Sequence, residues 1–155
     1  MSFEIKVKLN GNITEELTKL QEKVQDLTPV MRQIGYTLID IVEQNFETES
    51  FLGRPWHPLA ESTKRQKAKR GYEKILQNRG TLAESIDFVA TKDKLILGTN
   101  VEYAAIHQFG GDAGKDHQAH IPARPFLPID ENATMPKKIE DEILEAVEFY
   151  VKKAI

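Results

Sequence analysis

Cysteine is absent from this 155-residue chain, which excludes disulfide staples, thiolate nucleophiles and cysteine-ligated zinc. Long apolar runs are missing too. No stretch approaches the roughly 20 apolar residues that span a bilayer, and Met1–Gly11 lacks the apolar run of a signal peptide. Neither a leader nor a membrane anchor is expected, and synthesis in a reducing cytoplasm is the expectation. Serine is not framed for nucleophilic catalysis, because Ser2, Ser50, Ser62 and Ser85 all fall outside a Gly-x-Ser-x-Gly elbow. Gly110-Gly111-Asp112-Ala113-Gly114-Lys115 falls short of a phosphate loop, since Asp116 stands where Ser or Thr must follow the lysine. No cofactor is expected. Most carboxylates lie on amphipathic helices, as solvated faces require, so an enzyme is the minority reading.

What is present suits one ordinary domain over residues 1–155, with 40% hydrophobic and 29% charged side chains. A chain of this size buries roughly 70% of its unfolded surface, enough for a core without metal or covalent support. Phe3, Ile5, Val7 and Leu9 alternate with polar residues, the period of a strand with one buried face. After Asn10-Gly11-Asn12, Thr14 is placed to cap a helix carrying Leu17, Leu20, Val24 and Leu27 on one stripe. Thr28-Pro29 reads as a second helix start, continued by Val30, Ile34, Leu38, Ile41, Val42 and Phe46.

Further along, Phe51–Leu59 combines two prolines, a glycine and the lone tryptophan, which is loop chemistry with a large anchor. A short helix from Ser62 or Thr63 follows. Ile86–Val89 and Leu95–Gly98 flank the polar Thr91–Lys94 turn as a β-hairpin. Val101–Phe109 reads as a short helix stopped by Gly110-Gly111, and Asp112–His120 as a polar, mobile loop. Three prolines in Ile121–Pro128 exclude a central strand. Ile139, Ile143, Val147, Tyr150 and Val151 mark a C-terminal helix starting near Thr134-Met135-Pro136. The expected fold is α+β, a small, mainly antiparallel sheet of the first strand and the hairpin packed with two N-terminal helices and a C-terminal helix.

The net charge of −3 averages unlike parts. Residues 54–79 hold eight basic and two acidic side chains, while acidic groups exceed basic ones on both flanks. Lys64, Arg65, Lys67, Lys69 and Arg70 crowd together and, on a helix, encircle it. Such a run is either a solvated helix or a docking patch for an acidic partner or DNA phosphates. Tyr72 is the lone aromatic within it, so base stacking has no support. His107, His117 and His120, with Asp112 and Asp116, are the one cluster with metal-like composition, but without cysteine or fixed short spacings no metal is expected.

Three segments in order carry a resemblance: Trp56-His57-Pro58-Leu59 with Thr63; Tyr103-Ala104-Ala105-Ile106-His107-Gln108-Phe109-Gly110-Gly111; and Ile121-Pro122-Ala123-Arg124-Pro125-Phe126-Leu127. Between them lie Ile75-Leu76 and Gly80-Thr81-Leu82-Ala83-Glu84-Ser85-Ile86. This set resembles the phage virion morphogenesis family, the Mu-like tail-completion proteins.

The resemblance implies a non-enzymatic part of a phage or prophage particle that completes the tail or joins it to the head. Its expected partners are other tail or head–tail connector proteins and, on assembly, further copies in a homo-oligomeric ring. The host cytoplasm and then the virion tail or head–tail junction are its implied locations. Trp56, His57, Pro58, Tyr103, His107, Gly110, Gly111, Pro122, Arg124, Pro125 and Phe126 are the implied motif. Each serves either at an interface or in packing: Trp56 and Phe126 suit core or anchor, Arg124 suits buried carbonyls or a partner, and Tyr103 and His107 share a helical face. The rival readings are a nucleic-acid-binding module using residues 64–79 and a metal-dependent hydrolase using the histidines.

Overall fold

The computed structural model describes residues 11–77 and 80–154, so the strand expected over Phe3–Leu9 lies outside the described residues. The first helix, α1 (Gly11–Lys23), starts before Thr14, which sits inside it and whose carbonyl accepts the Thr18 hydroxyl at 2.9 Å. Leu20 is buried on its inner stripe, but the helix ends before Val24 and Leu27.

Helix α2 (Thr28–Thr48) begins where Thr28-Pro29 predicts, with Pro29 in the first turn where its missing N–H costs nothing. Thr28 is the first helical residue and not the cap: Leu27 holds the cap position without a side-chain bond, and the Asp26 carboxylate before it accepts the Thr28 backbone N–H at 2.9 Å and the Thr28 hydroxyl. Those hydrogen bonds lower the Asp26 pKa below the ordinary carboxylate value. The helix ends on Glu49 in the left-handed conformation, φ 50°.

Strands β1 (Ser50–Phe51) and β2 (Arg54–Pro55) form a tiny hairpin. The basic helix α3 (Glu61–Lys69) and the short α4 (Thr81–Ser85) follow. The expected hairpin is β3 (Asp87–Ala90) with β4 (Leu95–Gly98), antiparallel, pairing Asp87 with Gly98 and Ala90 with Leu95. It lies against α2 because Gly35 leaves room: a Cβ there would sit 2.5 Å from the Phe88 ring. The Tyr36 ring meets Phe88 edge-on at 5.2 Å.

Helix α5 (Ala104–Phe109) ends at Gly110 as expected. The segment Asp112–His120, expected to be an irregular mobile loop, is instead largely an antiparallel pair, β5 (Gly111–Ala113) with β6 (Ala119–Ile121), closed by a 3₁₀ turn over Lys115–His117. The short strands lacked a readable period because none of their residues is buried. The C-terminal helix α6 (Lys137–Ala154) packs on α1 and α2.

The architecture is α+β, and among the described residues its antiparallel strands form three two-stranded sheets. Helix α2 serves two apolar clusters. Its first half joins α1, α6 and the hairpin through Ile34, Leu38, Ile139 and Ile143. Its second half carries Val42 and Phe46 into a group with Trp56, Leu82, Ala104 and Phe126. Among the described residues no helix is long and apolar enough to cross a membrane.

Candidate functional site

The proline-rich segment 121–129 is buried from Arg124 onward yet belongs to no helix or sheet after Ile121. Pro122, Pro125 and Pro128 supply no N–H, and the remaining backbone groups need partners inside the protein. Side chains supply them. Trp56 Nε1 donates to the Pro125 carbonyl at 2.7 Å, and Asn45 Nδ2 to the Phe126 carbonyl at 3.2 Å. Gln108 Oε1 accepts the Phe126 and Leu127 N–H groups, each at 3.0 Å, while its Nε2 donates to the Ile129 carbonyl at 2.9 Å. The backbone also contributes through the Arg124 N–H, donated to the His107 carbonyl at 2.7 Å.

Arg124 ties this segment to the tryptophan loop. Its Nε donates to the His57 carbonyl at 2.8 Å and its Nη2 to the Pro58 carbonyl at 3.1 Å. Burial lowers its pKa below the ordinary arginine value, but a guanidinium starts so high that it stays charged. Phe126 is fully buried and Trp56 nearly so; Phe46 meets Trp56 edge-on at 5.6 Å and lies tilted against Phe126 at 5.4 Å. Trp56, Arg124, Pro125 and Phe126 thus act in packing and internal clamping, all four being buried within the chain.

Gly110 locks the third segment in place. At φ 73° and ψ 177° it holds a conformation essentially reserved for glycine. A Cβ there would meet the Ala123 nitrogen at 2.8 Å and the Ile121 oxygen at 2.9 Å. Gly111, at φ 149°, opens β5.

His107 is half-buried, and its Nδ1 is enclosed with no hydrogen-bond partner among the described residues. Desolvation, aided by the neighbouring Arg124 charge, lowers its pKa below 6.5. The Tyr103 ring meets it edge-on at 5.9 Å.

Beside this clamp lies a cleft of about 590 Å³. Helix α3 and its end form one wall with Thr63, Gln66, Lys67 and Arg70, spaced as one helical face. His57, Pro58, Tyr103, His107, His120 and Pro122 line it as well.

The structure therefore divides the basic run. Lys67 is buried at 8% exposure, near the Tyr72 ring at 6.0 Å, and burial lowers its pKa below the ordinary lysine value against the pull of Glu49 and Tyr72. Arg70 is exposed and faces the cleft, while Lys64, Arg65 and Lys69 are exposed outside it. A uniformly solvated helix does not fit the buried Lys67.

The histidines are regrouped as well. His57, His107 and His120 share the cleft and His117 does not; His120 Nδ1 lies 3.1 Å from the Asp112 carboxylate. Among the described residues no three of His, Asp or Glu are gathered to hold a metal ion.

Gln108 and Asn45 were missed as site residues. A signal for Asn45 existed: it interrupts the apolar stripe Leu38, Ile41, Val42, Phe46, where a polar side chain must find a buried partner. Gln108 sits between His107 and Phe109 in a helix too short to show which face is buried.

The three clamped segments keep the order noted in the sequence, and the phage virion morphogenesis family profile matches residues 9–148. The chain belongs to the phage virion morphogenesis family. Mu-like prophage FluMu G protein 2 of Haemophilus influenzae is 36% identical over 153 residues, 99% of both chains. Putative capsid assembly protein G of Escherichia phage Mu is 28% identical over 158 residues, covering 95% of this chain and 97% of that one. No solved structure matches the chain. Within this member of the morphogenesis family, the motif residues converge on internal clamping of one segment and leave a basic cleft at its edge.

Proposed function

We propose that this chain is a non-enzymatic structural protein of phage or prophage virion assembly that completes the tail or joins it to the head by protein–protein contact. Membership of the morphogenesis family supports the assembly role. The clamp is the structural observation that carries the rest: Arg124, Gln108, Asn45 and Trp56 spend their hydrogen bonds on backbone groups of this chain, as a rigid fitting part requires. The partners in this reading are tail or head–tail connector proteins, with further copies in a ring, first in the host cytoplasm and then at the tail or its junction with the head.

Deletion of the gene from its phage or prophage, followed by induction and electron microscopy, tests the reading. Unjoined heads and unfinished tails are expected, with joined particles restored by a plasmid copy. A normal yield of joined, infectious particles refutes it.

A further inference from the structure

We propose that the cleft between α3 and the Tyr103–His107 turn is a docking site for an acidic segment of a partner protein, one with carboxylates beside a large apolar side chain. The partner's identity as a virion component rests on the assembly reading above; the chemistry of the segment rests on the cleft.

The charge of the lining has one sign. Lys67, Arg70 and Arg124 contribute cations and no Asp or Glu lines the cleft among the described residues. Two of those cations are buried, so their fields act through a low-dielectric wall and count for more than rim charges do. Both are also held in place, Arg124 by its two carbonyl acceptors and Lys67 by burial on α3, so docking orders little that is not already ordered.

The rest of the lining is apolar. Leu59, Leu76, Leu82 and Ile121 face the same space, together with the rigid rings of Pro58 and Pro122. A free small anion would leave that surface unused, whereas a peptide with a carboxylate and a bulky apolar neighbour covers both. Tyr103, 48% exposed, and Arg70 add side chains of the types that dominate binding energy at protein interfaces. Duplex DNA fits less well, because its phosphates need cations on an open face, and the open cations Lys64, Arg65 and Lys69 lie outside the cleft. The overall charge of −3 also works against a polyanion but not against a short acidic segment.

Panning a randomised peptide library on the intact chain tests this. Enrichment of Asp and Glu next to Leu, Phe or Trp is expected, and resynthesised peptides should bind about tenfold more weakly to Arg70→Gln. Thr63→Glu should weaken them equally, while its new charge in the first turn of α3 favours the helix. Lys138→Glu on α6 should change nothing. No carboxylate enrichment over the input library, or undiminished binding by both cleft variants in folded protein, overturns the proposal. So does a DNA duplex that displaces the peptides and depends on Lys64, Arg65 and Lys69. These outcomes leave the assembly reading standing, whereas normal particles after gene deletion remove that reading whatever the peptides do.

Discussion

The Gln108 carboxamide and the Phe126 backbone are joined as two strands of a sheet would be: Gln108 Oε1 accepts the Phe126 N–H at 3.0 Å and serves Leu127 at the same distance. Gln108 Nε2 then returns a bond to the Ile129 carbonyl. One fully buried side chain thus replaces a neighbouring strand for a segment that its prolines bar from any ladder. Gln108→Leu strands two donors and one acceptor in the core, so a loss of about 3 kcal/mol or more is expected in urea unfolding. A loss below about 1 kcal/mol would show that the segment relaxes to find other partners.

Arg124→Lys keeps the charge but loses the planar fork that reaches two carbonyls. The expected cost is about 2 kcal/mol, accompanied by faster amide exchange in the His57–Ala60 segment. Exchange unchanged from the parent would mean that the carbonyls are held without Arg124.

Gly110→Ala combines a glycine-only conformation with contacts to backbone atoms that cannot swing aside. A loss of about 2–4 kcal/mol is expected. Gly98→Ala is the matched control, because nothing lies within 4 Å of a Cβ there. Equal melting temperatures for the two variants would contradict the close approach to Ala123.

His107 makes stability fall in mild acid. Its folded pKa is lowered below 6.5 by desolvation and then by Arg124, so below that pH the unfolded chain binds the extra proton more readily. Stability is retained above about pH 6.5 and declines as pH falls toward the folded value. His107→Leu should flatten this part of the pH–stability curve and, by removing an unpartnered buried nitrogen, cost little at pH 8. An unchanged acid slope in the variant would assign the effect to another group.

Arg54 and Glu131 form a two-bonded ion pair at 3.2 and 2.7 Å, with the arginine side chain 59% exposed. Solvent screens it, so a double-mutant cycle should give a coupling under about 1 kcal/mol that shrinks with salt. The Arg54 hydrogen bond lowers the Glu131 pKa, so this small contribution is present above about pH 4.5 and lost as pH falls through the folded value.

Where the chain repeats with a clear period, the sequence was sufficient. Thr28-Pro29 and the stripe through Phe46 placed α2, the apolar runs around Thr91–Lys94 placed the hairpin, and Gly110 ended α5 where expected. The β5–β6 pair escaped because three-residue strands with no buried side chain leave no alternation to read. The bond from Thr28 to Asp26 escaped because Thr28, itself a residue type that caps helices, stands directly at the helix start.

The candidate site was legible as a set of residues but not as an arrangement. Trp56, His107, Gly110 and Arg124 stood out by type and order, while their choice between core and surface depends on burial, which no local pattern encodes. The basic run shows the same limit: five cations in seven residues look alike in the sequence.

By itself, the sequence determined that this protein has no thiol chemistry, no disulfide and no cysteine metal site, because those need atoms it does not contain. It also determined that the segment through Pro122, Pro125 and Pro128 joins no central strand, because proline withdraws the donors a ladder uses. Only the tertiary structure decided what satisfies that segment instead. Hydrogen bonds between residues such as Asn45 and Phe126 depend on proximity in space, and so does the division of the basic run into a buried Lys67, a cleft-facing Arg70 and outward Lys64, Arg65 and Lys69.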